Sequence, residues 1–346
     1  MKNLSLFLSL LMLSWTTLSL AQQPPLVPDY QVIYCGGNDQ NSYTPKLSDR
    51  AAVWVKVTGQ HPAVKEQIVA YDLKTKSVVN LTAPTKFLAL WALSGSRCFW
   101  SQPNGTIAGS TIWQYDFETG LSKSIATTTN YLAGVSVDGD RLLWSENTAN
   151  GLVNLNIIDL TTGQNQPIKQ NILSSQPNLS YPWVVYSANP DRLENDEDIF
   201  LLNLTTDQVT RITNTSELET AFSTDGRWVT WVNFYDSSVS LYNIDDETSQ
   251  TFQEVYYPGI EPILNQDRLI YEDKHGTIHI INLTTNASQL ISSAVSGLGW
   301  CRLGRIDVCG DMMVSEISHL PDGEQFSHND ICLINLKPTP SGWFIH

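Results

Sequence analysis

The chain has 346 residues, with 20 Lys or Arg against 35 Asp or Glu and a formal net charge of −15. Nucleic-acid phosphates and anionic membrane surfaces both call for clustered cations, so neither is an expected partner. No linker, low-complexity tract or composition shift divides residues 30–346, and one domain is expected over 22–346.

Residues 1–21 have the form of a secretory signal. Lys2 supplies a short positive start, Leu6–Leu13 an apolar core too short to span a bilayer, and Ser19-Leu20-Ala21 a small-x-small cleavage site. No Cys follows to carry a lipid, and no second apolar stretch is long enough for a membrane span. The expected location is secreted or periplasmic. Cleavage would remove one Lys and leave 19 − 35 = −16.

The segment 30–35, YQVIYC, is a strand that precedes the first full repeat. From there the chain repeats. A Gly/Asp–Arg turn leads into a short run ending in an aromatic at Trp54, Trp100, Trp144, Tyr186, Trp231 and Tyr271, with a degenerate seventh copy ending at Ser315. A second run ends in Asp or Asn followed by an apolar residue, at Asp72, Asp116, Asp159, Asn203, Asn243, Asn282 and Asn335. The two series interleave at roughly 40–45 residues, the length of one four-stranded propeller blade. Phe222–Ile244 shows the unit most clearly. Asp225-Gly226 makes the turn, Trp228 and Thr230 alternate with Val229 and Trp231, a polar loop follows, and Val239, Leu241 and Ile244 form the second run. One such repeat cannot bury both faces of its sheet, whereas a ring of repeats does. The expected fold is therefore all-β, a seven-bladed propeller of four-stranded antiparallel blades. Their approximate limits are 40–83, 84–128, 129–170, 171–214, 215–254, 255–292 and 293–346, with the strand 30–35 closing the last blade. Trp54, Trp100, Trp144 and Trp231 share one repeat position and are expected between blades. Trp91, Trp113, Trp300 and Trp343 lie off that register, and Trp91 is a candidate to line the channel.

The repeat unit resembles the TolB-like propeller repeat, whose relatives are the propeller domains of prolyl oligopeptidase and dipeptidyl peptidase. The shared features are the Asp-Gly-Arg turn, the strand, the I-x-x-x-D/N-L run, the Thr-Gly hairpin and a closing strand. The likeness covers nearly the whole mature chain. It departs at Ser223-Thr224-Asp225-Gly226, where the family's Pro is replaced, and at Ser180-Tyr181-Pro182, which replaces the fourth turn. The accessory domains of these relatives have no counterpart, so neither a Tol-system role nor peptidase activity carries over. The resemblance implies a propeller that presents one face to a protein or glycan.

An exported chain permits disulfides. Cys301 and Cys309 flank what reads as a short loop and form one candidate pair. Cys35 and Cys332, the latter placed in the inner strand of the last repeat, form another across the ring closure. Cys98 is expected as a buried free thiol. N-x-S/T sequons occur at Asn80, Asn104, Asn178, Asn203, Asn214, Asn282 and Asn286, and those at Asn203 and Asn282 coincide with the repeat's own Asp/Asn position.

No G-x-S-x-G elbow, H-E-x-x-H, Walker or dinucleotide motif appears. Functional side chains are instead expected on loops at the channel mouth. Loop four carries Asp191, Arg192, Glu194, Asp196, Glu197 and Asp198, an oxygen-rich set suited to Ca²⁺ but lacking the D-x-D-x-D-G frame. Asp236 in loop five, Glu272, Asp273 and His275 in loop six, and Glu316 and His319 in loop seven, with His328 beyond, complete the candidates. No cofactor is expected, Ca²⁺ at loop four being the exception that the ligand chemistry allows. The expected function is non-catalytic: a monomeric binding or scaffold protein whose loop face engages a protein or polysaccharide. The alternative is a carbohydrate-active lyase or hydrolase, in which these carboxylates and histidines converge as a metal-assisted site or an acid pair.

Overall fold

The computed structural model describes residues 30–35, 40–59, 62–105, 109–172, 177–189, 197–252, 261–292, 300–320 and 328–336. The expected signal segment and residues 190–196 of loop four lie outside them. The described chain is all strand and turn. It forms seven four-stranded antiparallel sheets, spanning 40–80, 89–128, 131–172, 178–211, 219–252, 263–292 and 300–335. Within each sheet the strands follow one another in order. The exception is the seventh, where Tyr30–Tyr34 adds as the outermost strand beside His328–Asn335. The first strands of successive blades approach one another all the way round, the seventh against the first included. They form the inner ring, and the chain closes as a seven-bladed propeller.

Stacking of blades explains why the repeat has no polar face. Val229 and Trp231 pack against Val185 of the blade before, while Trp228 and Val232 pack against Leu269 of the blade after. Each described core cluster joins two neighbouring blades. The repeat aromatic is the wedge: Trp54 against Val314, Trp100 against Val53, Trp144 against Phe99 and Tyr186 against Leu143, each at most 5% exposed. Complete burial of such a side chain is worth about 1.5–3 kcal/mol.

The other repeat residues hold the turns of one face, here called lower, which carries the first-to-second and third-to-fourth strand connections. The Asp or Asn ending the third strand accepts the backbone N–H groups two and three residues on. Asp72 takes those of Lys74 and Thr75, Asp159 those of Thr161 and Thr162, and Asn203 and Asn282 do the same for their Thr-Thr pairs. This Asx turn needs a short oxygen acceptor at that position. The turn arginines reach forward to the next blade. Arg97 meets Asp140 at 2.8 Å, Arg227 meets Asp267 at 3.3 Å and Arg268 meets Asp311 at 3.4 Å. Arg50 pairs with Asp72 in its own blade and with Glu118 of the next.

Inner strands are also tied laterally. Ser136 Oγ accepts Leu179 N, Asn178 Oδ1 accepts Thr224 N, and Asp307 Oδ2 accepts Leu47 N. Glu316 Oε1 accepts Thr44 N across the same seventh-to-first junction. Burial pushes the carboxyls of both Asp307 and Glu316 up. Bulges interrupt the inner strands of the first, second, third, fifth and seventh blades, adding the bend that a strand at the axis requires.

The cysteine pairing is overturned. Cys301 and Cys309 lie at opposite ends of one strand, Trp300–Cys309, and not across a loop. Eight residues of strand separate them by about 25 Å, and a disulfide tolerates about 7 Å between Cα atoms. Cys332 lies in the third strand of its blade, not the inner one, and is registered with Val32. Cys35 is three residues beyond, about 10 Å away along an extended chain. Cys35, Cys309 and Cys332 are free thiols. Cys98 is buried and free, as expected. Trp91 does not line the channel as a free aromatic. It packs against the core between the second and third blades, and its Nε1 donates to Ser101 Oγ at 2.8 Å.

Candidate functional site

The upper face carries the second-to-third strand loops and the connections between blades, and of the described candidates Glu197, Asp198, Asp236, Glu272, Asp273 and His275 lie at it, while Glu316 sits within a second strand. Asp191, Arg192, Glu194 and Asp196 lie outside the described residues. Glu197 accepts from Ser187 Oγ at 2.9 Å. Asp198 begins a third strand and is completely buried. It pairs with Arg211 and accepts Thr213 Oγ1 and Thr215 N, both at 3.3 Å. Asp236 caps its own loop by accepting Ser238 N. Glu272 ends a second strand at 1% exposure. Asp273 accepts His275 N and Thr277 N and meets His279 Nε2 at 2.9 Å. Burial opposes its ionisation, but His279 and the two amides outweigh burial and hold its carboxyl below the usual range. His275 is exposed. Glu316 serves the ring closure. His319 and Cys301 are placed by backbone register alone, opposite each other.

Among the described residues no three His, Cys, Asp or Glu side chains gather as a metal-binding group. Most of the described candidate acids are occupied by neighbouring N–H and O–H donors, which is how buried or turn carboxylates are normally satisfied.

Glu219, not flagged from the sequence, is the most perturbed upper-face acid. It opens the inner strand of the fifth blade, is 2% exposed, and receives Thr215 Oγ1 at 2.7 Å on Oε1 while Oε2 has no partner. Burial first, and then the Asp198 charge, push its carboxyl up to about 7, against the opposing hydrogen bonds of Thr215 and Thr213. It can hold a proton near neutrality, but it is closed off from a bound substrate.

What the upper face does expose is aromatic. Phe87 is 74% exposed, Tyr131 63%, Tyr235 60% and Phe234 43%. They stand at the entry to the second blade, on the inner strand of the third, and on the loop of the fifth. Their backbones are fixed. Glu66 accepts Leu88 N at 2.6 Å and Tyr43 OH at 2.7 Å, anchoring the segment that carries Phe87. Phe234 N donates to Leu218 O, and Asn233 accepts Trp231 Nε1 while donating to Ser238 and Ser240. Phe234 and Tyr235 pack edge to face with ring centres 5.7 Å apart. The remaining large exposed apolar residues lie elsewhere. Val78, Leu121 and Val209 are on outer strands, and Tyr181 is on the lower face.

No protein-family model and no curated protein matches the chain. Solved structures do. The β-propeller domain of the trilobed protease of Pyrococcus furiosus aligns with a TM-score of 0.64 at 13% identity, over 88% of this chain and 97% of that one. Oligogalacturonate lyase from Vibrio parahaemolyticus aligns at 0.61 and 13% identity, over 90% and 98%. Acylaminoacyl peptidase from Pyrococcus horikoshii aligns at 0.64 and 11% identity, over 90% of this chain and 54% of that one, so the present chain spans about half of that enzyme. At these identities the likeness is one of fold: the chain is a seven-bladed β-propeller.

Proposed function

We propose that the protein is a non-catalytic binding module, exported from the cell, whose upper face engages a protein partner. The carrying observation is the concentration of exposed aromatics on that face, on backbones fixed by buried hydrogen bonds. Lower-face turn side chains, by contrast, are largely consumed by caps and inter-blade bridges. Phe and Tyr are enriched at the cores of protein interfaces, and fixed loops lose little freedom on binding. The described candidate acids favour this reading over catalysis, because Asp198, Asp236, Asp273 and Glu316 already serve the fold.

A photo-reactive amino acid at position 235 tests the reading, in the whole chain exposed to the exported proteins of the source cell. One discrete protein adduct is expected, abolished by Phe87→Ala with Tyr131→Ala at unchanged Tm, and absent when the probe is at Thr161 on the lower face. Equal adducts from both faces would overturn the assignment. Retention on a soluble polysaccharide, lost with the same substitutions, would replace the protein partner by a glycan.

A further inference from the structure

Phe87 combines two features that a fold ordinarily avoids. Its ring is 74% exposed, the most of any large apolar side chain among the described residues. Its backbone is left-handed, with φ +60°, a region that bulky side chains rarely occupy and that glycine enters without steric cost. The other described non-glycine residues with positive φ are small, polar or charged, and none is aromatic. The conformation is imposed from both sides. Glu66 and Thr85 exchange backbone hydrogen bonds at 2.7 and 2.9 Å, and Glu66 Oε2 accepts Leu88 N at 2.6 Å. The chain is thus held two residues before Phe87 and one after it. Leu88 and Leu90 then enter the core between the first and second blades, a cluster that does not include the Phe87 ring. The same antiparallel pairing sets Lys65 beside Lys86, the next residue on each strand, and both side chains are exposed. Like charges at such positions repel. A strained, exposed ring and a lysine pair therefore stand together on a chain whose formal charge is −15.

We propose that Phe87 is the anchor of the upper-face interface and enters an apolar pocket of the protein partner that is rimmed by carboxylates. The inference rests on the binding role proposed above and adds the partner's chemistry at this point. Backbone strain that the surrounding structure maintains marks positions where conformation serves function. A phenyl ring has no polar handle, so its complement is an apolar pocket, of the kind that interface anchors fill. The left-handed backbone, held at Thr85 and Leu88, presents the ring before the partner arrives, so little freedom is lost on binding. Lys65 and Lys86 then meet the carboxylates of the rim, and their mutual repulsion is relieved on association. Tyr131 and Tyr235 end in hydroxyls, which suit the hydrated border of the interface and not the pocket.

The photo-reactive residue at position 235 of the whole chain gives the readout, and melting curves establish that each variant is folded. Phe87→Ala alone should cut the yield of the protein adduct by about tenfold or more, and Tyr131→Ala alone by less than about threefold. Phe87→Asn should lose the adduct equally, yet melt above Phe87→Ala, because Asn accepts the left-handed backbone. Phe87→Leu, which keeps apolar bulk, should retain part of the yield. Lys65→Glu with Lys86→Glu, which leaves the ring in place, should cut the adduct by about tenfold or more, and raising the salt to about 0.5 M should weaken the wild-type adduct. An adduct at full yield with Phe87→Ala would overturn the anchor while leaving the binding face. An adduct indifferent to reversal of both lysines would overturn the acidic pocket, and a Phe87→Asn chain that melts no higher than Phe87→Ala would overturn the strained presentation. No protein adduct from the folded wild-type chain would overturn the binding face and its anchor together.

Discussion

Glu219 makes stability depend on pH in a direction opposite to that of ordinary surface acids. Its carboxyl is held at about 7 in the folded chain, against roughly 4.3 for a Glu in an unfolded one. Below about pH 4 both states carry the proton. Between about pH 4 and 7 the folded state keeps a proton that the unfolded state has released, so stability falls as pH rises. Above about 7 both are ionised and the loss is complete. A gap of about 2.7 pH units corresponds to an upper bound of roughly 3.7 kcal/mol at about 1.36 kcal/mol per unit. Glu219→Gln keeps the acceptor for Thr215 and removes the charge beside Asp198. At pH 8 the variant should be more stable than the wild type by about 2–3 kcal/mol, and at pH 5 within about 1 kcal/mol of it. Urea unfolding followed by tryptophan fluorescence at half-unit steps from pH 5 to 8.5 checks this. A variant that parallels the wild type at every pH, or one that loses stability at pH 8, would refute the idea that burial keeps this acid protonated.

Asp72 should act in the opposite sense. Burial works against its ionisation, but Arg50 and the N–H groups of Thr75 and Lys74 prevail and pull its carboxyl down to about 2. Its contribution is therefore present above about pH 4 and disappears as pH falls toward 2, and Asp72→Asn should flatten that acid limb in a Tm–pH profile. Trp144→Ala should cost about 3–5 kcal/mol by emptying the wedge against Phe99, measured by chemical denaturation. Gly226 has φ +92° and an added Cβ would lie 2.9 Å from Ser180 Oγ. Gly226→Ala should lower stability by about 1–3 kcal/mol, and Ser180→Gly in the same chain should recover only the part due to the contact.

The fold was legible because each blade solves the same physical problem with the same few side chains. An aromatic fills the wedge position in six repeats, an Asp or Asn ends the third strand in all seven, and an Arg bridges to the next blade from four. Repetition seven times over turned weak local signals into a strong one, and even the strand 30–34 could be assigned to the last blade. The cysteines failed for a related reason. Cys301 and Cys309 read as flanking a short loop, with Gly304 between them. In the structure that glycine sits where Glu316 crosses, and an added Cβ would lie 3.1 Å from its carboxylate. The strand continues through a bulge at Gly304-Arg305 rather than turning back, because it is the inner strand of a closing blade, a fact of tertiary position that local propensity does not encode.

The site was legible only in outline, and the acidic residues show why. Glu197 and Asp198 are neighbours in a run of acids, yet Asp198 is the buried anchor of Arg211 and Thr213 while Glu197 takes a serine hydroxyl at the loop's edge. Successive residues entering a strand face opposite ways, so a charge run says nothing about which member is structural until the strand start is known. Glu219 was invisible for the converse reason: a single Glu before a strand carries no sequence signal, and its perturbation comes from burial beside a carboxylate 21 positions earlier. The departures from the repeat were more informative than its acids. Ser180-Tyr181-Pro182 stood out as a missing turn from the letters alone. Its consequence could be drawn only once the structure showed that each turn arginine reaches forward. Where the next blade lacks the aspartate, the arginine of the blade before it, Arg141, lies over the Tyr181 ring instead, beside its cross-strand neighbour Asp159.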